Sequence, residues 1–231
     1  VAQNLDSTGW VEEWLSAGRF TTYLSASGGD RNRALALYEW NAQLSAAFLH
    51  DLSHLEVGLR NACDRALQRA TVAGEFHWTD ARTLSALFPI TARRNRASGL
   101  QTDSNRIPRE NFERARAAAA STNGLPPVPG KVIAELMFGF WTFLVADSHE
   151  KTVWVPHLYK AFPSGTDRRR LNTSLASLRT FRNRVAHHEN ILRGSEDMRR
   201  RIVYLVRLLS EEASAHLQAH SEVGSLLRQR P

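Results

Sequence analysis

The chain has 231 residues, 42% of them hydrophobic and 23% charged, with a net charge of +7, a balance ordinary for a globular protein of one large domain or two small ones. A single cysteine, Cys63, excludes an intramolecular disulfide and a cysteine-rich zinc site and makes a reducing cytoplasm the expected compartment. The most apolar stretch, Val132–Ala146, is 15 residues long and contains Glu135; a membrane span needs about 18 or more, so a buried helix is expected there. The amino terminus lacks a basic segment followed by an apolar run, and no signal peptide is expected.

The basic side is almost all arginine, because the only lysines are Lys131, Lys151 and Lys160. Arginine holds phosphate through a planar fork of donors, which favours a nucleic-acid partner. A GC-rich coding sequence gives the same arginine- and alanine-rich composition, so charge alone identifies no activity.

Helix-forming residues dominate throughout and strand-like alternation is hard to find. Asp6 or Ser7 can cap a first short helix ended by Gly18, and a second precedes Gly28-Gly29. Asp30 then caps a long helix to about Ala70, with Leu52, Leu55, Leu59, Cys63 and Ala66 as its apolar stripe. The segment 91–130 holds seven arginines and ends in the breaker run LPPVPG. Short helices joined by exposed loops are expected there, as a solvated surface or as an RNA-contacting arm. The next block is GKVIAELMFGFWTFLV, whose Phe138, Phe140, Trp141 and Phe143 sit in a dense apolar setting. Core packing is the simpler reading for them, and base stacking the alternative. Asp167 opens the next helix, and a final one follows Gly194 to about His220. The expectation is an all-α chain, a single helical domain over 1–231 with an irregular insert at about 91–130.

The most informative stretch is LRTFRNRVAHHENIL, Leu178–Leu192. The bare spacing is uninformative, since chance alone gives about three such Arg-to-His pairs in this composition. Helical geometry adds more. Leu171, Leu175, Leu178, Val185 and Leu192 form one apolar seam at ~100° per residue, with His188 falling on that seam and His187 turned off it. On this reading His188 is packed and His187 accessible. Arg182 and His187 stand roughly 140° apart around the helix, so two such helices meeting at a symmetric interface can bring both pairs into one cleft.

Those residue types suit RNA cleavage by the 2′-hydroxyl. A base must remove that proton, an acid must protonate the leaving 5′-oxygen, and positive charge must meet the developing phosphorane. Histidine can act as the base or acid, and arginine stays charged beside the phosphate. No metal or cofactor is required. Arg179 and Arg184 can bind RNA from the same helix, and Asn183 can orient either group. The alternative is a solvated helix face of i,i+3 and i,i+4 charge pairs.

RNRVAHH resembles the Arg-Asn-x-x-x-His motif of HEPN-domain ribonucleases, and the wider pattern resembles the Abi-like (abortive infection) family within that group. Three blocks carry the resemblance in order: LSHLEVGLRNACDRAL at 52–67, LPPVPGKVIAELMFGFWTFLV at 125–145, and the motif block itself. The resemblance implies a HEPN-type helical bundle elaborated with additional helices, usually dimeric. It also implies a metal-independent endoribonuclease acting in phage defence or as a toxin, restrained by a protein or small-RNA antitoxin. On it Arg182 and His187 are the catalytic pair, Asn183 the motif asparagine, and His188 a supporting neighbour. The insert at 91–130 has no assigned counterpart.

Glu56 and Arg60 lie one turn apart and read as a structural ion pair or as support beside the site. His187, His188 and Glu189 lack the i,i+4 histidine pair of a zinc helix, so no metal is expected there. A non-catalytic RNA-binding or nucleotide-binding regulatory module is the alternative function.

Overall fold

A computed structural model describes residues 9–69, 71, 76–94, 99–120 and 125–231. The fold is all-α. Helices α1 (Trp10–Leu15) and α2 (Ala17–Ala26) lead into the long α3 (Arg31–Gln68), and α4 (Leu84–Leu87), α5 (Arg106–Ala118), α6 (Pro129–Glu135) and α7 (Phe138–Phe143) follow. Short 3-10 and π turns between 147 and 161 precede α8 (Arg168–Ala186), α9 (Ser195–Leu209), α10 (Glu211–His220) and α11 (Val223–Arg228). Among the described residues the one departure is a small antiparallel pair of β1 (Ala92–Arg94) and β2 (Gln101–Asp103) inside the arginine-rich segment, where helices and loops were expected. Asp103 holds it closed by accepting the Thr91 N–H at 3.0 Å.

The central scaffold is α3. The Asp30 side chain accepts the Arg33 N–H at 3.0 Å and starts the helix as the sequence predicts. Its apolar stripe is fully used, with Leu44, Phe48, Leu55 and Cys63 buried in one hydrophobic cluster that reaches from Val11 to Val223. Phe48 meets Phe181 of α8 edge to face, ring centroids 4.7 Å apart. The seam expected on α8 is buried throughout: Leu171, Leu175, Leu178 and Val185 are each at most 1% exposed.

Three boundaries differ from the sequence reading. The first helix ends at Ser16, not Gly18, because Ser16 sits at φ 67 and its Oγ accepts the Arg19 N–H to start α2. The proposed caps Asp6 and Ser7 lie outside the described residues. The apolar stretch 132–146 is two helices, not one. The chain breaks at Leu136, whose carbonyl accepts the Trp141 indole N–H at 3.0 Å. Phe138, Phe140 and Trp141 are buried in the core, as packing predicts. The final helix is interrupted at Ser210, which is extended at φ −163 and caps α10 through the Ala213 N–H at 3.0 Å. Among the described residues no helix is long and apolar enough to cross a membrane.

Candidate functional site

The motif occupies the last turns of α8 and the loop behind it. Asp167 starts the helix by accepting the backbone N–H groups of Arg169 and Arg170. The helix ends after Ala186 in a Schellman motif: the Glu189 N–H reaches the Arg184 carbonyl at 2.9 Å and the His188 N–H the Val185 carbonyl at 3.1 Å. His188 is the left-handed residue of that motif, at φ 55. Glycine is usual there, although histidine tolerates this region better than most residues.

This termination corrects the placement of His188. The 100° rule puts it on the buried seam, but the helix has already ended, and the left-handed turn swings it out. His187 and His188 are both exposed. Arg182 is half-buried and Asn183 exposed. Among the described residues, the side chains of Arg182, Asn183 and His187 form no hydrogen bond or ion pair with the rest of the chain. On helical geometry the Cα atoms of Arg182 and His187 are about 9 Å apart, with diverging side chains. One chain therefore presents them as two separate groups.

Arg179 and Arg184 are committed internally. The Arg179 guanidinium lies 4.4 Å from the Phe143 ring centroid. Arg184 donates to the Asn190 carbonyl and stands 3.4 Å from Glu189. In this arrangement neither is a free phosphate ligand. Glu56 and Arg60 do pair, at 3.5 Å, but not beside the motif. The Phe48–Phe181 contact, together with Asn41 against residues 189–191, makes α8 antiparallel to α3. Glu56 and Arg60 lie past Phe48 in one direction and His187 past Phe181 in the other, so roughly 20–25 Å separates them along α3 at 1.5 Å per residue. The sequence shows their shared turn but not which way α8 runs across it.

Two residues the sequence reading missed hold the loop behind the motif. Buried Asn41 of α3 accepts the Ile191 N–H at 2.8 Å and donates to the Glu189 carbonyl at 3.5 Å. Arg19 of α2 donates to the His188 carbonyl at 2.8 Å. With Arg184, these pin residues 188–191 from three helices. A cavity of about 190 Å³ opens there, lined by Arg19, Thr22, Tyr23, His188, Glu189 and Asn190. Burial, reinforced by the neighbouring Tyr38, pushes the Tyr23 phenol up to about 12, so it remains a protonated donor. No sequence signal marks Arg19 or Asn41, because each is more than 140 positions from the loop it holds.

An all-helical bundle whose arginine, asparagine and histidine at a pinned helix end have no partner among the described residues defines a class of surface site able to engage an external anion. The family follows from a match to the model of the Abi-like protein family over residues 12–193, from α1 to the loop after α8. The chain belongs to that family. No curated protein and no solved structure matches it.

Proposed function

We propose that this Abi-like protein is a metal-independent endoribonuclease of the HEPN type. The family membership points to abortive infection, the arrest of an infected cell, and RNA cleavage is the activity that would deliver it. The observation that carries the reading is the helix end itself. His187 is exposed and Arg182 half-buried, neither has an internal partner among the described residues, and the loop that follows is fixed by Arg19, Asn41 and Arg184. Groups left unsatisfied at a rigid position are what a catalytic site holds ready for a substrate.

In the proposed reaction, a histidine takes the proton of the RNA 2′-hydroxyl, whose oxygen attacks the adjacent phosphorus. Arg182 holds the non-bridging oxygens as negative charge develops. The 5′-oxygen leaves with a proton from a second imidazole, giving a 2′,3′-cyclic phosphate and a 5′-hydroxyl. Because Arg182 and His187 diverge on one helix, two copies of α8 facing across a symmetric dimer complete the site. His188 then serves chiefly through its backbone. Its left-handed turn ends the helix and its carbonyl takes the Arg19 contact.

The test is incubation of purified protein with RNA in EDTA. Wild type cuts and His187→Ala does not. Intact RNA with the wild type, or equal cutting by the variant, favours the non-catalytic RNA-binding module instead. An antitoxin, as a protein or a small RNA, and a cytoplasmic location belong to the same proposal.

A further inference from the structure

Four of the nine histidines gather far from the motif in sequence. His50 and His54 stand one turn apart on α3, ring centroids 5.0 Å apart. His216 and His220 stand one turn apart on α10, at 4.2 Å. The two pairs face each other, with His54 and His216 at 6.0 Å. His50, His216 and His220 are exposed and His54 is half-buried. Two imidazoles sharing a tetrahedral ion, with metal–nitrogen bonds of about 2.0–2.1 Å, place their ring centroids about 5 Å apart. The observed separations bracket that value.

The hydrogen bonds around the cluster also suit metal ligation. The His220 Nδ1 lies 2.8 Å from the His216 carbonyl, which can only accept, so Nδ1 carries the hydrogen and Nε2 keeps its lone pair. His50 Nδ1 lies 3.0 Å from the carboxylate of buried Asp51, whose second oxygen accepts from Ser221 Oγ at 2.6 Å. A ring nitrogen anchored on a carbonyl or carboxylate is the arrangement that orients metal-bound histidines. Glu222 lines the same open cavity as His50 and His220 and offers an oxygen ligand.

We propose that His50, His54, His216 and His220 form a transition-metal site that clamps α10 to α3 and takes Zn²⁺ or a similar divalent ion favoured by imidazole. Among the described residues no three such donors already surround one point, so the His54 and His216 rings, which no hydrogen bond among the described residues holds, turn about their side-chain torsions to close on the ion while His50 and His220 keep their anchors. α10 lies beyond the residues matched by the family model; the clamp therefore ties that segment to the scaffold helix of the family fold. It is independent of the RNA chemistry, which proceeds in EDTA.

Untagged, EDTA-stripped protein is titrated with ZnCl₂ by calorimetry, and Tm is followed with and without Zn²⁺. The site predicts one ion per chain, a Tm that rises with Zn²⁺, and no response to Mg²⁺. His54→Gln and His216→Gln, on different helices, each lower affinity at least tenfold and abolish the Tm rise. His220→Gln, at an exposed position, weakens binding in the same direction. Equal urea midpoints of all variants in EDTA show that the fold is intact. Two ions per chain, each lost only with its own helix's pair, would overturn the clamp, as would unchanged binding in His54→Gln and His216→Gln or no binding at all.

Discussion

Asn41→Leu should loosen the loop behind the motif while leaving every candidate catalytic residue in place. Asn41 is 4% exposed, and its Oδ1 is the acceptor for the buried Ile191 N–H. Leucine is similar in size but offers no acceptor, so that N–H is left desolvated and unpaired, at a cost of about 1–3 kcal/mol. The second contact, to the Glu189 carbonyl at 3.5 Å, is at the limit of hydrogen-bond length and adds little. The expected loss is therefore about 2 kcal/mol, read as a lower urea midpoint with an unchanged m-value. Hydrogen exchange localises it: the Ile191 amide, slow in the wild type, becomes fast. RNA cleavage drops although Arg182 and His187 are untouched, because the loop no longer fixes the helix end. A loss below about 0.5 kcal/mol with Ile191 still protected would mean that Asn41 does not hold the loop.

Further consequences follow for stability. Phe48→Ala removes a fully buried ring that meets Phe181 and should cost about 3–5 kcal/mol in urea denaturation, with Phe48→Leu well below that. His188→Gly replaces a left-handed histidine. The relief of about 1–2 kcal/mol, set against a glycine entropy cost of 0.5–1, leaves a gain of about 0.5 kcal/mol with RNA cleavage retained; a loss of cleavage would give the imidazole itself a role. Acid should destabilise the fold. His54, His77 and His157 are all held below the ordinary imidazole range, chiefly by burial. The unfolded chain therefore binds more protons near and below pH 6.5. Their contribution is fully present above that value and is lost as pH falls through the lowered folded values. A Tm series from pH 8 to 5 should be flat and then fall, and His54→Gln should shallow the fall.

The elements most legible in the sequence were those fixed by local chemistry. Asp30 and Asp167 start α3 and α8 because a carboxylate before an apolar period is a cap wherever it sits, and the seam from Leu171 to Val185 follows from helical periodicity alone. Endings were harder. α8 stops without a glycine, on a histidine that accepts the left-handed region, so extending the 100° rule to His188 gave the wrong face. Ser16 and Ser210 break helices through backbone angles that their neighbours do not dictate. Long-range placement was out of reach. The sequence shows Glu56 beside Arg60, and histidines one turn apart at 50 and 54 and at 216 and 220. It does not show that the first pair lies far along α3 from the motif, or that the two histidine pairs meet. Arg19 and Asn41 act only through partners distant in the chain.

Arg182 and His187 are proposed to carry a 2′-hydroxyl cleavage reaction. Its most direct measurement is product-end analysis of a defined RNA cut by wild type, Arg182→Ala and His187→Ala in excess EDTA. The wild type should leave 2′,3′-cyclic phosphate and 5′-hydroxyl ends, with cutting by either variant reduced by a factor of about 10² or more. Ends bearing a 5′-phosphate, activity that returns only with added metal, or variants that cut as well as the wild type would contradict it.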